Sequence, residues 1–197
     1  MSSSSTPTRG RPPRLDHART VETALELLDE SGLDALTMRR LADAMGVQAG
    51  ALYRYFATKQ DLLTAMAERM LADVTGAEAG PSAAAADGDW GERLAALARG
   101  MRTALLAHRD GARVFAGTHS TGANTLGFAD TVIGVLREAG FGDENAARTL
   151  MAVANFTVGH TLEEQAALQP VGGGPADPER LREAVAAGRF PHLAAVL

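Results

Sequence analysis

Apolar residues recur at helical spacing through most of this 197-residue chain, and nowhere does the two-residue alternation of a strand persist. The expected fold is all-α. Val21, Ala24, Leu25 and Leu28 share one face of a first helix from about Asp16 to Ser31, with Gly32 as its stop. Met38, Leu41, Ala42 and Met45 define a second, opened by Thr37 as N-cap and closed by Gly46, where a left-handed residue costs glycine little. Val47 packs the turn, and Ala51, Leu52 and Tyr55 resume helical spacing from near Gln48. Two short helices with almost no linker must cross steeply, which is the helix-turn-helix arrangement. Thr58 and Asp61 then form a capping box, opening a long connecting helix with Leu62, Leu63, Met66, Met70 and Val74 on its apolar face.

Residues 76–89 are rich in Ala, Gly and Pro and read as a linker. Beyond it, Trp90 to His108 predicts a long helix buried at Leu94, Leu97, Met101 and Leu105. Gly111 to Gly127 is crowded with Gly, Thr and Ser around VFA, and reads as mobile loop holding one weak helical turn. Asn124 to Ala139 and Glu144 to Gln169 predict two more helices with wide apolar stripes, and Pro178 to Ala187 a last one after a Gly-rich loop. The domain division is therefore a disordered basic arm over 1–14, a helix-turn-helix domain with its connecting helix over 15–75, and a helical bundle over 90–197.

The formal net charge of −5 argues against nucleic acid until it is divided by position. Residues 1–60 are balanced, and the acidic excess lies beyond them. Arg9, Arg11, Arg14, Arg39, Arg40, Arg54 and Lys59 cluster in the arm and the helix-turn-helix, as phosphate binding requires. The arm has almost nothing apolar to bury, and its arginines suit a minor groove as well as they suit an idle tail. The absence of cysteine excludes disulfides and thiolate chemistry and suits a reducing cytoplasm. No apolar run is long enough to span a bilayer, so no membrane partner is expected.

On the second helix of the hairpin the outward residues are Gln48, Ala49, Gly50, Tyr53 and Arg54, small ones among them for close approach to a duplex, while Tyr53, Arg54 and Lys59 reach phosphates or base edges. A plain αα-hairpin with solvated charges is the competing interpretation. In the second half, His160, Glu163 and Glu164 are spaced to share a helix face and meet a metal, but His108, His119 and His192 sit in unrelated segments. Ser120 has no base or oxyanion motif beside it, and Gly172 to Gly174 lack the phosphate-loop Lys and Ser/Thr. No catalytic residue, metal site or cofactor is expected. A bundle with Met and Phe on inward faces suits a pocket for a small, mostly apolar ligand, although each such residue taken singly is as well explained as core.

The run ALELLDESGLDALT, then LADAMGV, LYRYF and K-x-DLL resembles the DNA-binding domain of the TetR family of bacterial repressors, and WGERLAALARGMRTALLAHRDGARVFAGT, AGFGDENA and NFTVGHTLEEQ resemble the effector domain of its tetracycline-repressor branch. The resemblance spans roughly Leu15 to Gln169 and is weaker in the second half. It implies a ligand-responsive repressor that binds a palindromic double-stranded DNA operator as a homodimer. It implies DNA contacts from Thr37, Arg39, Arg40, Gln48, Ala49, Gly50, Ala51, Tyr53, Arg54, Tyr55 and Lys59, with Arg39 matching a base contact and Tyr53 and Lys59 matching phosphate contacts. It also implies a ligand pocket of Leu97, Met101, Leu105, Phe115, His119, Val132, Leu136, Leu150, Ala154 and Glu163.

Departures from that branch matter as much. Phe115 stands where a magnesium-ligating His is found, His119 where an Arg is, and Leu97 and Met101 where drug-contacting Asn and Phe are; only Glu163 is retained. The effector expected is therefore largely apolar and not magnesium-tetracycline. Ala49, Gly50 and Ala51 replace Gln, Pro and Thr, and Arg54 and Tyr55 replace Trp and His, so backbone contacts persist while the operator changes. Relatives close a dimer bundle with a last helix that usually follows a segment like FPHLAAVL, and the sequence given stops at that segment, so either that helix is missing from it or the interface is expected to be built differently. Three interpretations stay open: a ligand-responsive repressor, a metal-binding protein or enzyme using His160 and Glu163, and a DNA-binding protein without an effector.

Overall fold

The computed structural model of the chain describes residues 16–75, 89–168, 178–188 and 190–196, and all regular structure among them is α-helical. The expected basic arm and most of the expected linker lie outside the described residues. Helix α1 (His17–Ser31) begins where the Asp16 carboxylate accepts the Arg19 N–H, and it buries Val21, Ala24, Leu25 and Leu28 as the periodicity requires, with Thr20 and Leu27 beside them. Helix α2 (Met38–Met45) begins at Thr37, whose hydroxyl accepts the Arg40 N–H. It ends at Gly46 in the left-handed region, φ 66° and ψ 31°.

Helix α3 (Ala49–Leu52) is a single turn, shorter than the spacing implies. The chain leaves it in a turn over 53–55, so Tyr55, expected to continue the apolar spacing, is 44% exposed, and Phe56 takes the inward position. Val47 and Ala49 both pack against the core, which makes Ala49 half-buried where an outward residue was expected. Helix α4 (Lys59–Thr75) opens with the expected reciprocal cap: Asp61 accepts the Thr58 N–H at 2.9 Å and Thr58 accepts the Asp61 N–H at 3.1 Å. Leu62, Met66, Met70 and Leu71 are buried along it. Such side chains contribute about 1.5–3 kcal/mol each by burial. Helix α4 packs on α1 along one side and on α5, α6 and α7 along the other, so it belongs to both halves of the molecule.

Helix α5 (Trp90–Leu106) is capped by Asp89 and buries Leu94, Leu97, Met101 and Leu105, the four residues its periodicity singles out. The segment expected to be a weak turn in mobile loop is a regular helix, α6 (Gly111–Ala116), with Ala112 and Val114 in the core. Its tight entry requires glycine: a Cβ on Gly111 would collide with the Leu105 carbonyl. Helices α7 (Ala123–Glu138) and α8 (Asp143–Leu168) complete the bundle with α5. The apolar stripe of α8 is divided. Only Ala146, Thr157, Thr161 and Gln165 are buried, whereas Met151 and Phe156 are 58% and 74% exposed. Helix α9 (Pro178–Ala186) packs against a further short helix, α10 (Pro191–Ala194), that the periodicity did not indicate.

Candidate DNA interface and effector core

The hairpin presents its outer face through two buried anchors. Leu52, fully buried, and Phe56, 2% exposed, hold α3 against the core, and the Tyr55 and Phe56 N–H groups both donate to the Leu52 carbonyl at 2.9 and 3.0 Å. With those residues turned inward, Arg39, Arg40, Gln48, Gly50, Tyr53 and Arg54 are left exposed, and Tyr55 joins them. A Cβ on Gly50 would meet nothing within 4 Å, so the tip of α3 is open to a surface laid against it.

The charges on this face are unspent. The guanidinium groups of Arg39, Arg40 and Arg54 form no ion pair among the described residues, as is also true of the scattered Arg19, Arg99, Arg109, Arg180 and Arg182, whereas Arg69, Arg93, Arg102, Arg113, Arg137 and Arg148 are each paired with a carboxylate. What distinguishes the three is that they lie together on the hairpin. Unpaired arginines grouped on one exposed face are ready to take phosphate oxygens. Lys59 differs from this pattern: it is half-buried and its ammonium lies 3.5 Å from the Leu33 carbonyl, tying the start of α4 to the α1–α2 loop.

The last turn of α1 and the same loop are bolted to the second half of the molecule by residues the sequence did not single out. Asp29 accepts the Arg109 N–H at 2.9 Å and lies 2.9 Å from His108 Nδ1. Asp110, itself in the left-handed region at φ 58°, accepts the Leu33 N–H at 2.9 Å. Arg113 of α6 reaches both Asp110, at 3.2 Å, and Asp34, at 3.0 Å. Hydrogen bonding from Arg113, reinforced by its charge, holds the Asp34 carboxyl below the usual carboxylate range and raises the Arg113 guanidinium in return. These carboxylates read as ordinary surface acids in the sequence, because the partners that use them lie some eighty positions away.

Among the expected pocket residues, Leu97, Met101, Leu105, Val132 and Leu136 come together with Val114 and Phe128 in one buried apolar cluster. Phe115 and Leu150 are half-buried against it, and Ala154 is half-buried on α8. His119 and Glu163 are exposed and stand apart from that cluster. The next acid, Glu164, instead binds Arg102, with Arg102 Nε at 2.8 Å. His160 stacks on Phe156, ring centroids 5.8 Å apart, and among the described residues no three His, Asp or Glu side chains are gathered where a metal would need them.

The polar organiser of this core is Gln165, which no local sequence signal marks. Its Oε1 accepts the Ala112 N–H at 3.0 Å, and its Nε2 donates to the carbonyls of His108 at 2.8 Å and Leu105 at 3.2 Å. Asp110, the N-cap residue of α6, makes no capping bond with its side chain, so Gln165 of α8 supplies that function.

Residues 21–66 match the family described as bacterial regulatory proteins of the tetR family, and residues 82–197 match the tetracyclin repressor-like C-terminal domain. The chain belongs to the TetR family. The tetracycline repressor protein class A from transposon 1721 of Escherichia coli is 46% identical over 153 residues, covering 78% of this chain and 68% of that protein. The class A repressor in complex with 5a,6-anhydrotetracycline and magnesium superposes with a TM-score of 0.66 at 40% identity, over 88% of this chain and 95% of that one. A possible TetR family transcriptional regulator from Streptomyces coelicolor A3(2) is 74% identical, with a TM-score of 0.78 over 91% of this chain and 86% of that one. BioQ bound to its double-stranded DNA operator matches with a TM-score of 0.69 at 33% identity, over 79% of this chain and 89% of that one. The chain is thus a transcriptional regulator of the TetR type, with its helix-turn-helix in the region matched to the tetR family and α5 to α8 within the matched C-terminal domain.

Proposed function

We propose that this regulator is a cytoplasmic repressor, not an enzyme, that binds a palindromic operator as a homodimer and is released from it by a small, largely apolar ligand other than magnesium-tetracycline. The observation that carries the DNA assignment is the set of unpaired guanidinium groups of Arg39, Arg40 and Arg54 beside Gln48, Gly50, Tyr53 and Tyr55 on one exposed face. Two such faces must meet successive major grooves about 34–36 Å apart, which requires a dimer. The exposed Met151 and Phe156 on α8 offer the apolar surface for it.

The ligand assignment rests on chemistry. Phe115 cannot bind a metal, and Leu97 and Met101 offer only apolar contact, so the cluster around them suits a ligand without a metal-chelating edge. Release from DNA follows if the ligand binds the released arrangement more tightly; moving almost all molecules from bound to free takes a preference of roughly 10⁴-fold, about 5.5 kcal/mol. Selection of operator duplexes from a random pool, followed by fluorescence anisotropy, tests the DNA reading. Arg39→Ala combined with Tyr53→Ala should abolish binding to the selected operator, and retention of full affinity sinks the assignment of this face. Calorimetric binding of magnesium-tetracycline at micromolar affinity or tighter overturns the ligand reading. A ligand that raises the melting temperature and dissociates the DNA supports an effector-controlled regulator over a purely DNA-binding one.

A further inference from the structure

Helix α7 begins without a capping side chain of its own, since its N-cap residue is Gly122. Its first N–H groups are satisfied from another helix. Glu68, in the middle of α4, accepts the Asn124 N–H at 2.9 Å on one carboxylate oxygen and the Thr125 N–H at 3.1 Å on the other. The second oxygen also accepts the hydroxyls of Ser120, at 2.6 Å, and Thr125. Ser120 in turn accepts the Gly122 N–H at 3.0 Å, and Asn124 Nδ2 donates to the Glu68 carbonyl at 2.9 Å. A carboxylate is the favoured group at this end of a helix, where the unpaired N–H groups leave partial positive charge. Position 122 has to be glycine for the carboxylate to fit, because a Cβ there would collide with Glu68.

A second hook lies eight residues earlier on the same helix, about 12 Å along its axis. Gln60 Nε2 donates to the Gly117 carbonyl, at the end of α6, at 2.8 Å. The segment between α6 and α7 is therefore held to α4 at both ends, and α4 is the helix that carries the helix-turn-helix unit. Sliding or rotating α4 relative to the effector core requires the Glu68 cap to break.

We propose that Glu68 is a positioning residue: by capping α7 from α4 it sets the orientation of the helix-turn-helix unit against the effector domain, and so sets operator affinity without touching DNA. Its consequence for affinity rests on the DNA-binding reading above; the cap itself does not. Loss of the cap spreads α4 over more orientations, and apparent affinity falls with the fraction of molecules that keep the operator spacing.

The test uses the full chain and its selected operator. In Glu68→Ala, hydrogen exchange at the Asn124 and Thr125 amides should quicken about tenfold or more, and the operator Kd should weaken about threefold or more. The salt dependence of binding should keep its slope, since no phosphate contact is lost. Glu68→Gln, which retains one acceptor oxygen, should fall between. Gly122→Ala, which displaces the carboxylate while leaving it in the chain, should reproduce the alanine phenotype and keeps the test open if Glu68→Ala folds poorly. Glu144→Ala, removing an exposed pair with Arg148 on α8, is the control and should change neither readout. Unchanged exchange at residues 124 and 125 overturns the cap. Faster exchange with unchanged or tighter operator binding, or weaker binding with a shallower salt slope, overturns the positioning role. Failure of the wild type to select any operator refutes the DNA reading instead, and exchange at these two amides still decides the cap.

Discussion

Replacing Gln165 with Leu tests whether α6 is held by a single side chain from α8. Gln165 is 7% exposed, and leucine fills nearly the same space while removing every polar contact. The Ala112 N–H is then left in an apolar surround without the acceptor it has at 3.0 Å, and the two bonds donated to Leu105 and His108 are lost. An orphaned buried donor costs about 1–3 kcal/mol and each lost bond about 0.5–1.5 kcal/mol net. Part of the sum is offset by the added apolar contact of leucine, which leaves a loss of about 2–4 kcal/mol. For a domain of this size that lowers the melting temperature by roughly 5–15 °C. Circular dichroism melts at one fixed protein concentration measure it, since subunit association makes the midpoint depend on concentration. Gln165→Glu keeps the acceptor but turns a second oxygen toward two carbonyls, so it should also destabilise at neutral pH. A fall of less than about 2 °C for Gln165→Leu would mean that α6 is capped by something else.

Four further outcomes follow from the geometry. Thr37→Ala removes the hydroxyl that accepts the Arg40 N–H and should cost about 1 kcal/mol, read as a melting-temperature fall of about 2–4 °C; no change refutes the cap. Arg54→Ala should weaken binding to all duplexes alike and reduce the salt slope by about one, measured by anisotropy between low and high salt. Phe156→Asp, at a residue 74% exposed on α8, should leave the fold intact and convert a dimer to a monomer in light scattering, whereas an unchanged dimer moves the interface elsewhere. Burial works against the charged form of Glu68, but hydrogen bonds from Ser120 and Thr125 and from the Asn124 and Thr125 N–H groups outweigh it and hold the carboxyl below its ordinary 4.5. A lowered native pKa contributes stability that is complete above the unfolded value and disappears as pH falls through the native one. Amide exchange at residues 124 and 125, corrected for its intrinsic pH dependence, should therefore hold steady from pH 7 to about 5 and loosen only below the ordinary carboxylate range; loosening near neutrality contradicts it.

The helices with strong local signals were legible residue by residue. The caps at Thr37 and Thr58 and the left-handed Gly46 rest on contacts within four positions along the chain, and the inward quartet of α5 shares one helical face, so local spacing contains them. The exposed outer face of the hairpin followed from the same source, because inward anchors at Leu52 and Phe56 leave the residues between them facing out. Local spacing misleads where a segment draws its order from elsewhere. The stretch Gly111 to Gly127 is crowded with Gly, Thr and Ser, and the six residues of α6 are too few to hold a helix alone; they are helical because Gln165 caps them and Asp110 ties their entry to Leu33. Tyr55 continues an apolar spacing that the chain abandons one turn into α3.

Sequence alone determined that this protein is all-α, that it carries a helix-turn-helix with Arg39, Arg40 and Arg54 turned outward, and which residues of α1, α2 and α5 share an inward face, since each of these depends on periodicity and on short-range hydrogen bonds. Tertiary structure decided which carboxylates join the two halves. Asp29, Asp34, Glu68 and Asp110 are all acids in helical or turn contexts that suggest solvent, and each finds its partner some fifty to eighty residues away. It likewise decided which half of the α8 stripe is core and which stays exposed at Met151 and Phe156. Periodicity tells which side chains share a face; which neighbour that face meets is set only when the helices pack.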